Sequence, residues 1–262
     1  MTYKEILKEV GVSYIGNTSH SSKLIHSHLH NWDTYGIYLS PADLSGYNTC
    51  PNSKYCKHLC LNGSGHNKVS RLHEKGLSKI DKARIAKTKY FFEHKDKFMN
   101  AIIHEIELAK NRAKKSGNDF AVRLNCTSDI DITSFIKDGK NILEIFPDIQ
   151  FYDYTKVLKY LQYSKKYNNF DVTLSYNGHN WKSCEKYLNE NGKVAMVFEK
   201  LPKTYKGYEV INADLYDMRF LDKPGTIMGL TYKSVDSDYV NGKYQSRKDK
   251  FIIDLNNNDC IY

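Results

Sequence analysis

The sequence predicts an α/β fold: a single domain built as a parallel β/α barrel, complete or partial and TIM-like, with a metal-binding loop at the carboxyl-terminal rim of its strands. Three observations predict it. From residue 120 onward, short β-branched and aromatic runs alternate with helical segments, the pattern of parallel strands covered by helices. The 262 residues suit one domain of that size without a second core. Three of the six cysteines fall in one loop, Cys50, Cys56 and Cys60, just after the first expected strand.

In chain order, residues 1–33 read as an N-terminal extension, 34–233 as the core and 234–262 as a C-terminal segment. Residues 2–10 form an amphipathic, charged helix with no signal-like apolar run. His26, His28 and His30 alternate, so on a strand they would share one face. Residues 34–40 alternate as a strand. Residues 68–115 carry apolar residues at helical spacing and predict two helices, broken near Thr88 or His94. Gly117-Asn118-Asp119 ends them as a turn. Then follow strand 120–124, helix 141–146, strand 149–152, helix 156–165, strand 171–176, helix 182–190 and strand 193–198. Shorter strands are expected at 209–212, 226–230 and 250–254.

Hydrophobic content of 40% and charged content of 26% are those of a globular protein. No apolar run approaches the ~20 residues a membrane helix needs. The expectation is a soluble, cytoplasmic protein that does not engage membranes and keeps its cysteines reduced. The net charge of +9 fits an anionic small molecule or a nucleic acid as partner. Solubility alone accounts for it equally well, because the lysines are dispersed along the chain.

The cysteine loop reads C-x5-C-x3-C, with Pro51, Asn52, Gly63 and Gly65 marking it as irregular. Clustered thiolates select zinc or iron–sulfur clusters over hard cations. Cys126, at the end of strand 120–124, is the candidate fourth sulfur. Cys184 and Cys260 read as ordinary residues.

Ligand sites in parallel folds lie at the carboxyl ends of strands. Those ends carry Arg123, Asn125, Ser128 and Asp129, then Asp153, Tyr154 and Lys156. Arg123 lies in an apolar strand and so requires a carboxylate, phosphate or cofactor; Asp129 and Asp153 are the internal choices. Asp129, Lys156 and Arg123 are the candidate catalytic residues. Asn125, Ser128 and Tyr154 are the candidate cofactor contacts. Asp129 or Asp131 is also expected to cap the turn that starts near Thr133. Asp214, Asp217, Arg219 and Asp222 surround a tight turn and read first as an internal salt-bridge lock.

In order, Cys50-x5-Cys56-x3-Cys60, Arg123-Leu124-Asn125-x-x-Ser128-Asp129, Phe151 to Lys156, and Asp214-x-x-Asp217-x-Arg219-x-x-Asp222 with Gly229-Leu230 resemble the phage "gene product 88"-like proteins, over residues 34–233. The cysteine loop and strand ends also look like a diverged relative of the radical-SAM barrels. That resemblance implies Cys50, Cys56 and Cys60 as ligands of a [4Fe–4S] cluster. The spacing differs from the C-x3-C-x2-C usual there, and no Gly-Gly-Glu segment follows the first helices.

Three functions follow as expectations. The first is a phage [4Fe–4S] protein with a barrel site, acting on a nucleotide or nucleic acid. The second is a zinc-dependent base-modifying enzyme resembling the tRNA-guanine transglycosylases, with Asp129 as nucleophile. The third is a non-enzymatic, metal-stapled module that binds nucleic acid or a host protein.

Overall fold

The computed structural model describes residues 1–18, 26–74, 76–233 and 251–255. The strands are β1 (Gly16–Asn17), β2 (Trp32–Ile37), β3 (Asp119–Arg123), β4 (Gln150–Thr155), β5 (Phe170–Ser175), β6 (Lys193–Phe198), β7 (Thr204–Tyr205), β8 (Tyr208–Asn212), β9 (Ile227–Thr231) and β10 (Ile252–Ile253). The helices are α1 (Tyr3–Val10), α2 (Gly65–Glu74), α3 (Lys79–Glu93), α4 (Lys95–Ser116), α5 (Ile142–Ile145), α6 (Leu161–Lys166) and α7 (Trp181–Asn189).

The ten strands form one mixed sheet in the order β1-β2-β3-β4-β5-β6-β9-β8-β7, with β10 also beside β6. The pairs β2–β3, β3–β4, β5–β6, β6–β9, β8–β9 and β6–β10 are parallel, while β1–β2 and β7–β8 are antiparallel. Barrel closure, expected from the repeated strand–helix units, is not found: among the described residues no pairing joins β1 to β7. Each end of the strand path is finished by a two-residue antiparallel strand, a short edge of the kind that discourages further pairing.

The chain divides into two compact units. The first comprises residues 1–51, 77–153 and 162–171. The second comprises residues 52–76, 154–161 and 172–262.

In the first unit, Thr2 and Glu5 form a capping box at the start of α1, and Gly11 ends it in the left-handed conformation. Ser78 and Asp81 cap α3 in the same way. His94, at φ −137° and ψ 51°, breaks the helical run between α3 and α4. Helix α4 buries Phe98, Ala101, Ile102, Ile106, Ala109 and Ala113 along one stripe, and Glu105 lies within that stripe. The last four residues of β2 are buried, as expected of a parallel strand covered on both faces.

Glu105 accepts four hydrogen bonds, from Tyr3 OH (2.6 Å), Ile15 N (2.8 Å), Gly16 N (2.8 Å) and Tyr35 OH (2.5 Å). Buried Lys87 donates to Ile15 O at 2.9 Å. Gly16 is fixed by this geometry: a Cβ there would stand 2.3 Å from Tyr35 Cζ and 2.8 Å from Gly36 O. Gly16→Ala is therefore expected to lower stability by ~1–3 kcal/mol, read as a shift of the denaturant midpoint at constant slope. An unchanged midpoint would show that the Tyr35 ring can move aside at no cost.

The second unit centres on Leu174, Cys184, Leu188, Val194, Met196, Phe198 and Ile227, contributed by β5, α7, β6 and β9. β5 pairs with β6 through Ser175↔Ala195, and β10 takes up Val197 and Phe198 beyond that point. Arg219 is fully buried among its partners. Its Nε lies 3.1 Å from Asp222 Oδ2, its Nη2 donates to Tyr216 O (2.6 Å), and its guanidinium stacks 4.8 Å from the Tyr216 ring centroid. Of the expected salt-bridge lock, the Arg219–Asp222 pair is seen, while Asp214 accepts from Thr231 N (2.8 Å) and faces Lys233 (3.7 Å).

Candidate functional site

In the first unit, the carboxyl ends of β2, β3 and β4 are laced together. Cys126 N donates to Ile37 O (3.0 Å), Asp129 N to Thr49 O (2.8 Å), and Thr127 Oγ1 to Leu39 O (2.5 Å). Thr49 Oγ1 in turn donates to Ser40 O (2.6 Å). These bonds bring the segment ending at Cys50 against the loop that holds Cys126. The Cys50 sulfur accepts the Ala42 N–H at 3.4 Å and lies 4.0 Å from Thr127 O. The Cys126 sulfur lies 3.9 Å from Arg123 O. Both thiols are half-buried, and neither is in a disulfide.

Beside them stands a polar wall. Asn125 donates to Asp153 through its backbone N (3.2 Å) and Nδ2 (2.8 Å), and Nδ2 also reaches Ile130 O (3.1 Å). Asn125 Oδ1 accepts from Ser128 Oγ (2.8 Å) and Ile130 N (3.0 Å). Of the three residues expected to contact a cofactor, Asn125 and Ser128 also hydrogen-bond within this loop. Arg123 finds the expected carboxylate in Asp153, at 3.8 Å from Nε to Oδ1. That is long beside the ~2.7–2.9 Å of a charge-assisted hydrogen bond. Asp129 is buried in the same loop. The capping role falls to Asp131, which accepts from Ser134 N (3.0 Å), Thr133 Oγ1 (2.6 Å) and Tyr163 OH (2.9 Å).

Sequence reasoning passed over one neighbour of this edge. Lys87 has its pKa pushed down to about 8, first by burial and then by Arg84, while Glu105 and Cys126 pull it back up. The sequence signal for it is weak, because one lysine among the several on α3 carries nothing that marks it as buried.

The second unit carries the rest of the cysteine loop. Cys56 precedes the 3₁₀ turn Lys57–Leu59, and Cys60 joins it to a second turn, Leu61–Gly63. The Cys56 sulfur lies 3.8 Å from Ser53 O. Asn52 Nδ2 donates to Lys156 O (2.8 Å), so the Lys156 backbone anchors the loop. Tyr154 packs against Ala195, Ala213 and Met228.

Among the described residues, no group of three or more His, Cys, Asp or Glu side chains is gathered to hold an ion. The expected convergence of Cys50, Cys56 and Cys60, with Cys126 as fourth, is not seen as an assembled centre. The histidine expectation is corrected as well. His26–His30 is a 3₁₀ helix, whose roughly three residues per turn spread alternate side chains around the axis. His28 instead pairs with Asp33 at 2.8 Å. Cys184 is buried, and burial pushes its thiol up to about 12, as befits an ordinary core cysteine. Cys260 lies outside the described residues. No helix among the described residues is long and apolar enough to cross a membrane.

The family model described as "Gene product 88" matches residues 7–254. No curated protein matches the chain, and no solved structure does. The radical-SAM likeness thus gains no support from these comparisons.

Proposed function

The chain belongs to the gene product 88 family, matched over most of its length, and we propose that it is a thiolate-metal protein of phage origin whose site lies at the carboxyl edge of β2, β3 and β4. The observation that carries this reading is the Cys50 sulfur, which accepts a backbone N–H on a loop tied to the one bearing Cys126. A backbone N–H directed at sulfur stabilises a thiolate, and such bonds tune iron–sulfur centres. The donor chemistry fits a soft metal, a [4Fe–4S] cluster first and zinc second. Cys50 and Cys126 would hold it from the first unit. The sequence spacing, rather than any packing, nominates Cys56 and Cys60.

A bound cluster would supply electron transfer or Lewis acidity. The chain's own residues do the rest. Asp153 and Asn125 keep the Cys126 loop rigid, and Arg123 gives the edge a cation suited to a phosphate-bearing ligand such as a nucleotide. Asp129 is the carboxylate in the same loop. Tyr154 and Lys156 lie in the second unit and carry no part of this reading.

The test is metal analysis of anaerobically reconstituted protein. About four iron and four sulfide per chain with a broad visible absorption band is the expected result. Cys50→Ala should remove most of the iron, and Cys56→Ala and Cys60→Ala report whether the rest of the C-x5-C-x3-C loop supplies ligands. Cys126→Ala decides the fourth sulfur. Stoichiometric zinc without iron would move the reading to its alternative; protein that takes up neither metal would end it.

A further inference from the structure

The last turns of α4 carry a basic surface that the proposed site does not use. Residues 108–116 hold four cations, Lys110, Arg112, Lys114 and Lys115, and no acid. Leu108, Asn111, Arg112 and Lys115 follow i, i+3, i+4, i+7 spacing, so they share one face. With Lys114 they line an open concavity of about 670 Å³. Asn111, Arg112, Lys114 and Lys115 are all exposed, while Lys110 is engaged by Asp148. Cations in a final helical turn also complement the helix dipole, which accounts for Lys114 and Lys115. Arg112 lies before that turn, and neither it nor the polar Asn111 between the cations follows from the dipole.

We infer that this face of α4 binds the phosphate backbone of duplex nucleic acid. A rigid helix with a row of cations and an amide matches a regular row of phosphates, with the amide able to donate to a phosphate oxygen. Leu108, the one exposed leucine of residues 108–116, is far less than the broad apolar face a membrane-surface helix inserts. The net charge of +9 brings the duplex to the surface, and this face gives it a place to settle. The inference stands apart from the metal reading, because it requires no metal and none of the strand-end residues.

The test is a fluorescence-anisotropy titration of the full chain with a random-sequence 20-base-pair DNA duplex from 50 to 200 mM salt. The triple variant Arg112→Ala, Lys114→Ala, Lys115→Ala should weaken binding by at least about tenfold at the lower salt. It should also reduce the slope of log affinity against log salt by roughly two to three. A control of equal charge loss, Lys4→Ala, Lys182→Ala, Lys203→Ala, should leave the slope near the wild-type value. Equal effects of the two triples would overturn the inference, as would no duplex binding at 50 mM salt. Binding by the wild type to anionic vesicles in preference to duplex would overturn it too. Metal content measured on the same samples keeps this outcome separate from that of the thiolate site.

Discussion

Arg219→Met is expected to lower the stability of the protein by ~3–5 kcal/mol, the cost of leaving a buried carboxylate without its cation. Arg219 and Asp222 side chains are 1% and 2% exposed, so water cannot replace the lost partner. Asp222 would retain only the Tyr216 hydroxyl, which donates to Oδ1 at 2.6 Å. The effect spreads beyond the pair. Lys193 Nζ donates to Arg219 O at 2.6 Å, and Arg219 Nη1 reaches Met228 Sδ at 3.6 Å, so β6 and β9 both lean on this turn. In thermal unfolding the loss should appear as a drop on the order of 10 °C. Asp222→Leu alone should cost a similar amount. The double variant, with both charges gone, should lose clearly less than the sum of the two. Strict additivity, or single losses below about 1 kcal/mol, would mean the pair behaves like a surface ion pair and locks nothing.

The Arg219–Asp222 pair was legible in the sequence, because an arginine three residues before an acid at the Asp222-Lys223-Pro224-Gly225 turn reads as a lock, with a second polar wall of the site as the other reading. So was strand β6, whose run Lys193–Phe198 has β-branched and aromatic residues and sharp ends. The Arg123–Asp153 pair followed from the cost of burying a guanidinium alone. Other features were hidden for identifiable reasons. Sheet closure depends on the edges, and β1 and β7 are two residues each, too short to leave a periodic signal. Three alternating histidines fit a strand, but five residues are too few to separate period two from a 3₁₀ turn. Asn125 and Ser128 looked like ligand contacts because polar residues at strand ends often are. Here both also serve the loop, Ser128 Oγ donating to Asn125 Oδ1, which accepts the Ile130 N–H as well. The cysteine spacing gave donor type without placement, which depends on contacts far apart in sequence, such as Asp129 to Thr49. Glu105 was missed although it interrupts an apolar helical stripe, between Ile102 on one side and Ile106 and Ala109 on the other.

That overlooked carboxylate supports the second large effect. Glu105→Leu should cost ~3 kcal/mol or more, because two tyrosine hydroxyls and two backbone N–H groups would lose their common acceptor inside the first unit. Glu105→Gln keeps the shape but offers one oxygen and an NH₂ group to four donors, so it too should destabilise. Tyr35→Phe, which deletes one donor and leaves the carboxylate served by three others, should cost only about 1 kcal/mol. The same cluster sets a pH dependence. Lys87 faces Glu105, Arg84, Cys126 and Tyr14, and its pKa of about 8 in the folded protein is below the ordinary ~10.4 of an unfolded lysine. Between those values the unfolded chain binds the extra proton, so stability rises with pH, by up to ~1.4 kcal/mol per unit. Below pH 8 both states carry the proton, and the full burial penalty of the charged amine applies. Tyr3 and Tyr35 act in the opposite sense higher up: burial and Glu105 raise both, so they favour the folded state until the unfolded phenols ionise near pH ~10, after which stability falls. Buried Cys184, pushed up to about 12, opposes the climb once the unfolded thiol ionises near ~8.5, so the stability curve should climb from about pH 8, level off near ~9 and fall above ~10. Lys87→Met should flatten the climb and leave the fall. Glu105→Gln removes the anion that raises Lys87, so its climb should begin at lower pH. Denaturant midpoints from about pH 7 to about pH 11 for the three proteins read this directly. A wild-type curve that is flat through pH 8–9, or a Lys87→Met variant that still climbs, would show that the amine is not held in the environment its burial implies.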